Sequence, residues 1–329
     1  MKKVTVLGFG SWGIALACLL HKNGHKVTMW EPNESLAAML DRERVNQRSL
    51  PGIVIPGDIT ITADEKVAAK AGDVVLLVLS SKDIPEKMKI ITPHLNEGQI
   101  IVNASKGLIK EPLMRITEYL QDLAPQCKIA CLSGPSHAEE VSRFLPTMVT
   151  VGSSCPETAA VVQDIFSGNN FRVYTSTDIV GVELGGVLKN VIALAAGISD
   201  GLGYGDNTKA ALLTRGIAEI ARLGIAMGAE MQTFAGLSGI GDLIVTGTSK
   251  HSRNWRGGNL LARGKSVEQV LAEVNMAVEG INTAPTVLAL AQKYGVDMPI
   301  VEEVNKVLFE GKDPKAVVSD LMQRNKKGE

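Results

Sequence analysis

The chain has 329 residues, 45% of them hydrophobic, with a formal net charge of −1, which is length enough for about two domains around a buried core. Its Lys and Arg residues are dispersed, which excludes nucleic acid or an anionic membrane as the main partner and leaves any bound anion small and locally held. Cys18, Cys127, Cys131 and Cys155 have neither zinc-ligand spacing nor the density of a disulfide framework, so no metal is expected and the thiols read as reduced packing residues.

At the start, Lys2 and Lys3 precede an apolar stretch from Val4 to Leu20 that imitates a secretory signal. Gly8, Gly10 and Gly13 would weaken such a helix, and His21-Lys22-Asn23-Gly24-His25 stands where a cleavage site of small residues belongs. No other stretch is both long and free of charge, so no membrane span is predicted. Strands are predicted at Val4–Leu7, Lys26–Trp30, Ile59–Thr62, Val74–Leu79, Ile100–Val102, Ile129–Leu132, Thr147–Val151 and Phe171–Tyr174. Between them fall helical patterns at Ile14–Lys22, Ser35–Gln47, Pro112–Leu123 and Pro156–Phe166, the last two opened by prolines at a plausible first helical position. This alternation predicts a parallel sheet covered on both faces, a Rossmann-like, doubly wound α/β domain over residues 1–178. Beyond Asp178 the strand runs stop and long Ala, Leu, Gly and Val stretches with helical spacing predict an all-helical domain over residues 179–329. The short charged tail, Arg324 to Lys327, reads as a solvated terminus.

Gly8-Phe9-Gly10-Ser11-Trp12-Gly13 matches G-x-G-x-x-G directly after a strand and directly before a helix. The first glycine permits the tight turn, the second lets backbone approach a diphosphate, and the third allows helix to pack on strand, so a dinucleotide is expected there. Glu31 follows the second strand, placed to accept hydrogen bonds from ribose hydroxyls and to repel a 2′-phosphate, which predicts NAD ahead of NADP. An ordinary solvated residue before the Pro32-Asn33 turn is the alternative.

In open parallel sheets ligands gather beyond the C-terminal strand ends. Lys106 follows a strand in Asn103-Ala104-Ser105-Lys106-Gly107, and the next strand ends in Ser133-Gly134-Pro135-Ser136-His137-Ala138, where Pro135 is expected to begin a helix. Together they predict a small anion site, against the plainer reading of a surface lysine and a strand-to-helix turn. Lys189 lies in Leu184-Gly185-Gly186-Val187-Leu188-Lys189-Asn190-Val191-Ile192-Ala193-Leu194, a helix apolar on every other face. A lysine there must find partners or lose its proton, and a lowered pKa would suit a general acid or base. The alternative is a snorkelling side chain whose ammonium reaches water. Asp242 and Thr246 sit one helical turn apart, Asp242 placed to hold a lysine ammonium or a substrate hydroxyl. Ser252-Arg253-Asn254 groups a hydroxyl, a guanidinium and an amide, the donors of a phosphate clamp, although Ser252 and Asn254 could equally cap a helix.

From the glycine-rich motif to the C-terminal helices, the chain resembles the bacterial NAD(P)-dependent glycerol-3-phosphate dehydrogenases. Asn103-Ala104-Ser105-Lys106-Gly107, Ser133-Gly134-Pro135-Ser136-His137-Ala138, Leu188-Lys189-Asn190, Gly241-Asp242-Leu243 and Ser252-Arg253-Asn254 occur in that family's order. The resemblance implies Lys189 as the proton donor or acceptor, with Lys106, Gly134, Ser136, Asp242, Ser252, Arg253 and Asn254 around a phosphorylated triose. It also implies Ser11, Trp12, Lys106, Ala138, Arg253 and Glu279 on the cofactor side. The implied reaction is reversible hydride transfer between NAD(P)H and dihydroxyacetone phosphate, in a cytoplasmic homodimer that supplies glycerol phosphate for phospholipid synthesis. Family members often carry basic residues where this chain has Glu31-Pro32-Asn33, a departure that leaves NADP use open. The competing readings are a β-hydroxyacid or 6-phosphogluconate-type dehydrogenase, which would ask for carboxylate readers, and a non-catalytic NAD-binding sensor, which would lack the lysine pair.

Overall fold

The computed structural model describes residues 1–326 and 328; Lys327, the end of the expected charged tail, and Glu329 lie outside the described residues. The chain divides into two compact units, Met1–Glu183 and Leu184–Glu329.

The first unit is built on ten strands: β1 (Lys3–Leu7), β2 (Lys26–Trp30), β3 (Thr60–Thr62), β4 (Val74–Leu77), β5 (Ile100–Asn103), β6 (Leu108–Ile109), β7 (Met114–Arg115), β8 (Lys128–Ser133), β9 (Thr147–Gly152) and β10 (Phe171–Ser176). Eight of them form one sheet in the order β10-β9-β8-β5-β4-β1-β2-β3, while β6 and β7 pair as a separate hairpin. All eight predicted strands are present. Their sequences are almost continuously apolar because both faces are covered. Val4, Val6, Val74, Leu76 and Val102 point into one core, and Leu7, Val75, Leu77 and Ile101 into the other. Period-2 alternation of the side chains thus sends a single hydrophobic run to two cores.

Three details differ from the sequence reading. β9 runs antiparallel to β8 rather than parallel, so the sheet is mixed at that edge. The helix expected from Pro112 starts at Ile116, because Pro112 sits in the turn between β6 and β7, whose pairing holds Met114 and Arg115 in a strand. The helix expected from Pro135 starts at Ala138 and lasts four residues.

The second unit is helical, with no strand among its described residues. It takes most of the Ile179–Gly201 helix, and its later members are Asp206–Ala226, Met231–Phe234, Asp242–Thr248, Arg253–Ala262, Val267–Val274, Glu279–Lys293, Pro299–Phe309 and Pro314–Met322. Ile179–Gly201 is long and apolar enough to cross a bilayer by length and composition, but 83% of its most apolar window is buried within the protein, as in a core helix. It meets the Arg253–Ala262 helix backbone to backbone. A Cβ on Gly258 would lie 2.0 Å from the Leu194 carbonyl oxygen, and one on Gly197 would lie 2.0 Å from that of Trp255.

Candidate active site

Strand register aligns the functional segments of the first unit. Leu7 pairs with both Trp30 and Leu77, and Asn103 pairs with Leu77 and Cys131. Gly8, Glu31, Ala104 and Gly134 therefore leave the sheet along its C-terminal edge, around the point between β1 and β4 where the order reverses.

Gly8 has φ +126, and a Cβ there would stand 2.6 Å from the Val78 carbonyl oxygen. A Cβ on Gly13 would stand 2.3 Å from the Gly8 oxygen, so the Ser11–Lys22 helix can start on this loop only because both side chains are missing. Gly10 is exposed, and nothing lies within 4 Å of where its Cβ would be. In front of that open ground are the N–H groups of Ser11, Trp12 and Gly13, which an α-helix leaves without internal acceptors. The Trp12 indole Nε1 is also buried without a hydrogen-bond partner. Unpaired donors around an unobstructed glycine fit the diphosphate of a dinucleotide. Asn46, which the sequence reading passed over, pins the loop by donating from Nδ2 to the Phe9 carbonyl at 3.1 Å.

Glu31 is half-buried and accepts from the Asn33 N–H at 3.1 Å. Burial pushes its carboxyl above the usual range, against the Asn33 hydrogen bond and the Lys87 charge. The Lys106 ammonium donates to the Gly134 carbonyl at 3.2 Å, joining the two strand-end segments expected to share one site. Ser136 Oγ donates to the same carbonyl at 2.9 Å. That local bond and the extended backbone of His137 occupy the residues from which a helix at Pro135 would have grown. Ala138 is buried as the first residue of the short helix that follows.

In the second unit, Lys189 is 5% exposed and donates to the Asp242 carboxylate and, at 2.6 Å, to Thr246 Oγ. Thr246 Oγ in turn donates to the Asp242 carbonyl at 2.6 Å. Asp242 and Thr246 come from one face of the Asp242–Thr248 helix, as their spacing predicted, directly after a π-helical turn at Leu237–Gly241. The amine does not snorkel. It is held instead by the Asp242 carboxylate and by the Thr246 hydroxyl, which fix its direction.

Ser252 caps the Arg253–Ala262 helix, its Oγ accepting from the Trp255 N–H at 3.2 Å. Asn254 is buried, donating to Asn190 Oδ1 at 2.9 Å and accepting from the Gly280 N–H at 2.8 Å. The residue beside Lys189 is thereby tied to the Glu279–Lys293 helix, whose first residue is Glu279. Arg253 is half-buried and pairs with no carboxylate among the described residues. Among those residues, no group of three or more His, Cys, Asp or Glu side chains is arranged to hold a metal ion. Cys18, Cys127 and Cys131 are buried, and burial raises the Cys18 thiol to about 11.

The most deeply buried carboxylates that escaped the sequence reading are Glu183 and Glu219. Glu183 is 2% exposed and accepts from Asn103, Arg115 and Thr117. Burial raises its pKa, opposed by the Arg115 charge and the Thr117 hydrogen bonds. Glu219, also 2% exposed, accepts from the Ile300 and Val301 N–H groups at the start of the Pro299–Phe309 helix, and burial pushes it up to about 7. The argument that singled out Lys189, a charge in an apolar helical run, applies equally to Glu183 six residues earlier.

A Rossmann-like sheet with a glycine-rich turn after its first strand, joined to a helical unit that holds a buried lysine, is the architecture of an NAD(P)-dependent dehydrogenase. Residues 3–159 match the family model for the NAD-dependent glycerol-3-phosphate dehydrogenase N-terminus, and residues 178–319 match that for its C-terminus. The chain belongs to the NAD-dependent glycerol-3-phosphate dehydrogenase family. It is 51% identical to the glycerol-3-phosphate dehydrogenase [NAD(P)+] of Fusobacterium nucleatum, over 99% of this chain and 98% of that protein. Identity to the Bacillus subtilis protein of the same name is 49%, over 99% of this chain and 95% of that one. The glycerol-3-phosphate dehydrogenase structure from Coxiella burnetii superposes with a TM-score of 0.94 at 36% identity, covering 98% of this chain and 99% of the other.

Proposed function

We propose that this chain reduces dihydroxyacetone phosphate to sn-glycerol 3-phosphate, reversibly, with NADH or NADPH. The observation that carries the reading is the buried Lys189 amine, aimed by Asp242 and Thr246, in a chain whose relatives are half-identical over almost their whole length. When bound, the reduced nicotinamide supplies the hydride for carbon 2. Lys189 Nζ delivers a proton to the carbonyl oxygen as it becomes an alkoxide, and a positioned acid of this kind contributes about 10²–10⁴-fold. Asp242 and Thr246 hold the amine in place, and Lys106 adds a second positive charge for the oxyanion.

The phosphate is assigned to Arg253, Ser252, Asn254 and Ser136, with Gly134 holding the Lys106 segment. Ser252 uses only its lone pair as a cap, so its O–H can still donate. Asn254 retains one amide N–H beyond its bond to Asn190. Gly8, Gly10, Ser11, Trp12, Gly13, Ala138 and Glu279 serve the cofactor, and Glu31 meets the ribose hydroxyls, favouring NAD. Residues 1–178 act as the dinucleotide domain and 179–329 as the substrate domain of a cytoplasmic homodimer that supplies phospholipid synthesis.

Relatives bearing the glycerol-3-phosphate name over the whole chain favour this substrate over β-hydroxyacids and 6-phosphogluconate. Steady-state reduction of dihydroxyacetone phosphate by NADH tests the proposal. Lys189→Ala is expected to lower kcat by about 10²–10⁴-fold while NADH still binds. Wild-type turnover by that variant, oxidation of only 3-hydroxyisobutyrate or 6-phosphogluconate, or NADH binding without any turnover would each overturn it.

A further inference from the structure

We infer that Glu183 is a positioning residue for the Lys106 amine, acting through Asn103. This rests on the reading that Lys106 meets the substrate. Four donors converge on the Glu183 carboxylate: Asn103 Nδ2 at 3.2 Å, the Thr117 N–H at 2.9 Å, Arg115 Nη1 at 3.0 Å, and Thr117 Oγ. They come from the end of β5 and from the β7 segment running into the Ile116–Leu123 helix. A carboxylate so deeply buried is tolerated only with such a set of partners, and no neutral side chain offers four acceptor positions on two oxygens.

The consequence for Lys106 follows from the two ends of the Asn103 amide. Because Nδ2 is committed to Glu183, Oδ1 must face the other way, where it accepts from the Ser105 N–H at 3.0 Å. The loop is also fastened by the Ala104 N–H bond to the Leu77 carbonyl at 2.9 Å. Past Lys106, Gly107 lies so close to Ser81 that a Cβ would come within 2.4 Å of the serine Cβ. The backbone on either side of Lys106 is thus fixed, and Nζ reaches the Gly134 carbonyl from that fixed base. Without the Glu183 acceptor the Asn103 amide can flip and present a donor to the Ser105 N–H, releasing the loop.

The test is a double-mutant cycle on kcat/KM for dihydroxyacetone phosphate, with thermal melts to confirm folding. Glu183→Gln is expected to lower kcat/KM roughly ten-fold in the wild-type background, since a misplacement near 1 Å can cost far more than that. In the Lys106→Ala background the same substitution should change it by less than about two-fold, because its route to the chemistry is already cut. Asn103→Ala severs the link while leaving Glu183 its Arg115 and Thr117 bonds, and it should show the same dependence on Lys106; if Glu183→Gln fails to fold, this variant decides alone. Losses that simply multiply with that of Lys106→Ala would mark Glu183 as structural and overturn the inference, leaving the role of Lys106 standing. Wild-type kinetics in Lys106→Ala itself would instead remove the reading on which the inference rests.

Discussion

Replacing Glu219 by glutamine should make the protein more stable at pH 8 than at pH 4.5 relative to wild type. The Glu219 carboxyl, buried against the Pro299–Phe309 helix, is pushed from its ordinary 4.5 to about 7. In that window the folded state binds a proton that the unfolded state has already released, so wild-type stability falls as pH rises through it and levels off above about 7. With 1.36 kcal/mol for each pH unit between the two values, the ionised side chain withholds about 3 kcal/mol at pH 8. Glutamine keeps an oxygen for the Ile300 N–H, whose bond to Glu219 measures 2.9 Å, and carries no charge to desolvate. Urea unfolding of both proteins at half-unit steps from pH 4.5 to 8 isolates the effect, since every other titrating group cancels in the difference. The gap between variant and wild type should move by about 3 kcal/mol in favour of Gln across the window. A gap that stays constant with pH, or moves the other way, would refute the assignment of a neutral, buried carboxyl at this helix start.

Asp242→Ala leaves the Lys189 ammonium buried without its carboxylate, and urea titration should show a loss of about 3–5 kcal/mol together with collapse of turnover. Glu31→Arg exchanges the proposed ribose acceptor for a phosphate partner, so the ratio of kcat/KM with NADPH to that with NADH should rise by roughly ten-fold or more. Gly13→Ala drives a methyl to within 2.3 Å of the Gly8 oxygen, and fluorescence titration should show NADH affinity lost alongside about 1–3 kcal/mol of stability.

The strands were legible because a sheet covered on both faces demands uninterrupted apolar runs, and Val74 to Leu77 or Ile100 to Val102 could hardly be anything else. Strand direction was not. The residues between β8 and β9 suit either a parallel crossover or an antiparallel return, and the choice rests on contacts that neither strand encodes alone. Prolines misled twice, since the fixed φ that suits a first helical position suits the turns at Pro112 and Pro135 equally well. Lys189 could be singled out as an isolated charge in an apolar helix, and Asp242 and Thr246 as neighbours one turn apart. Their meeting across 53 positions of sequence was beyond any local pattern. Glu183 carried the same signal as Lys189 and was missed because no motif adjoined it. Asn46, Arg115 and Thr117 carried none, being ordinary polar residues until the fold brings their partners to them.

The close approach at Gly197 and Gly258 means that the segment bearing Lys189 tolerates no wedge on that side, not even a methyl group. A saturation library selected for growth on this activity should therefore come back blank at two codons whose residues serve the packing of one helix on another. Anyone mapping the chemistry from tolerance data alone would place its boundary too far out.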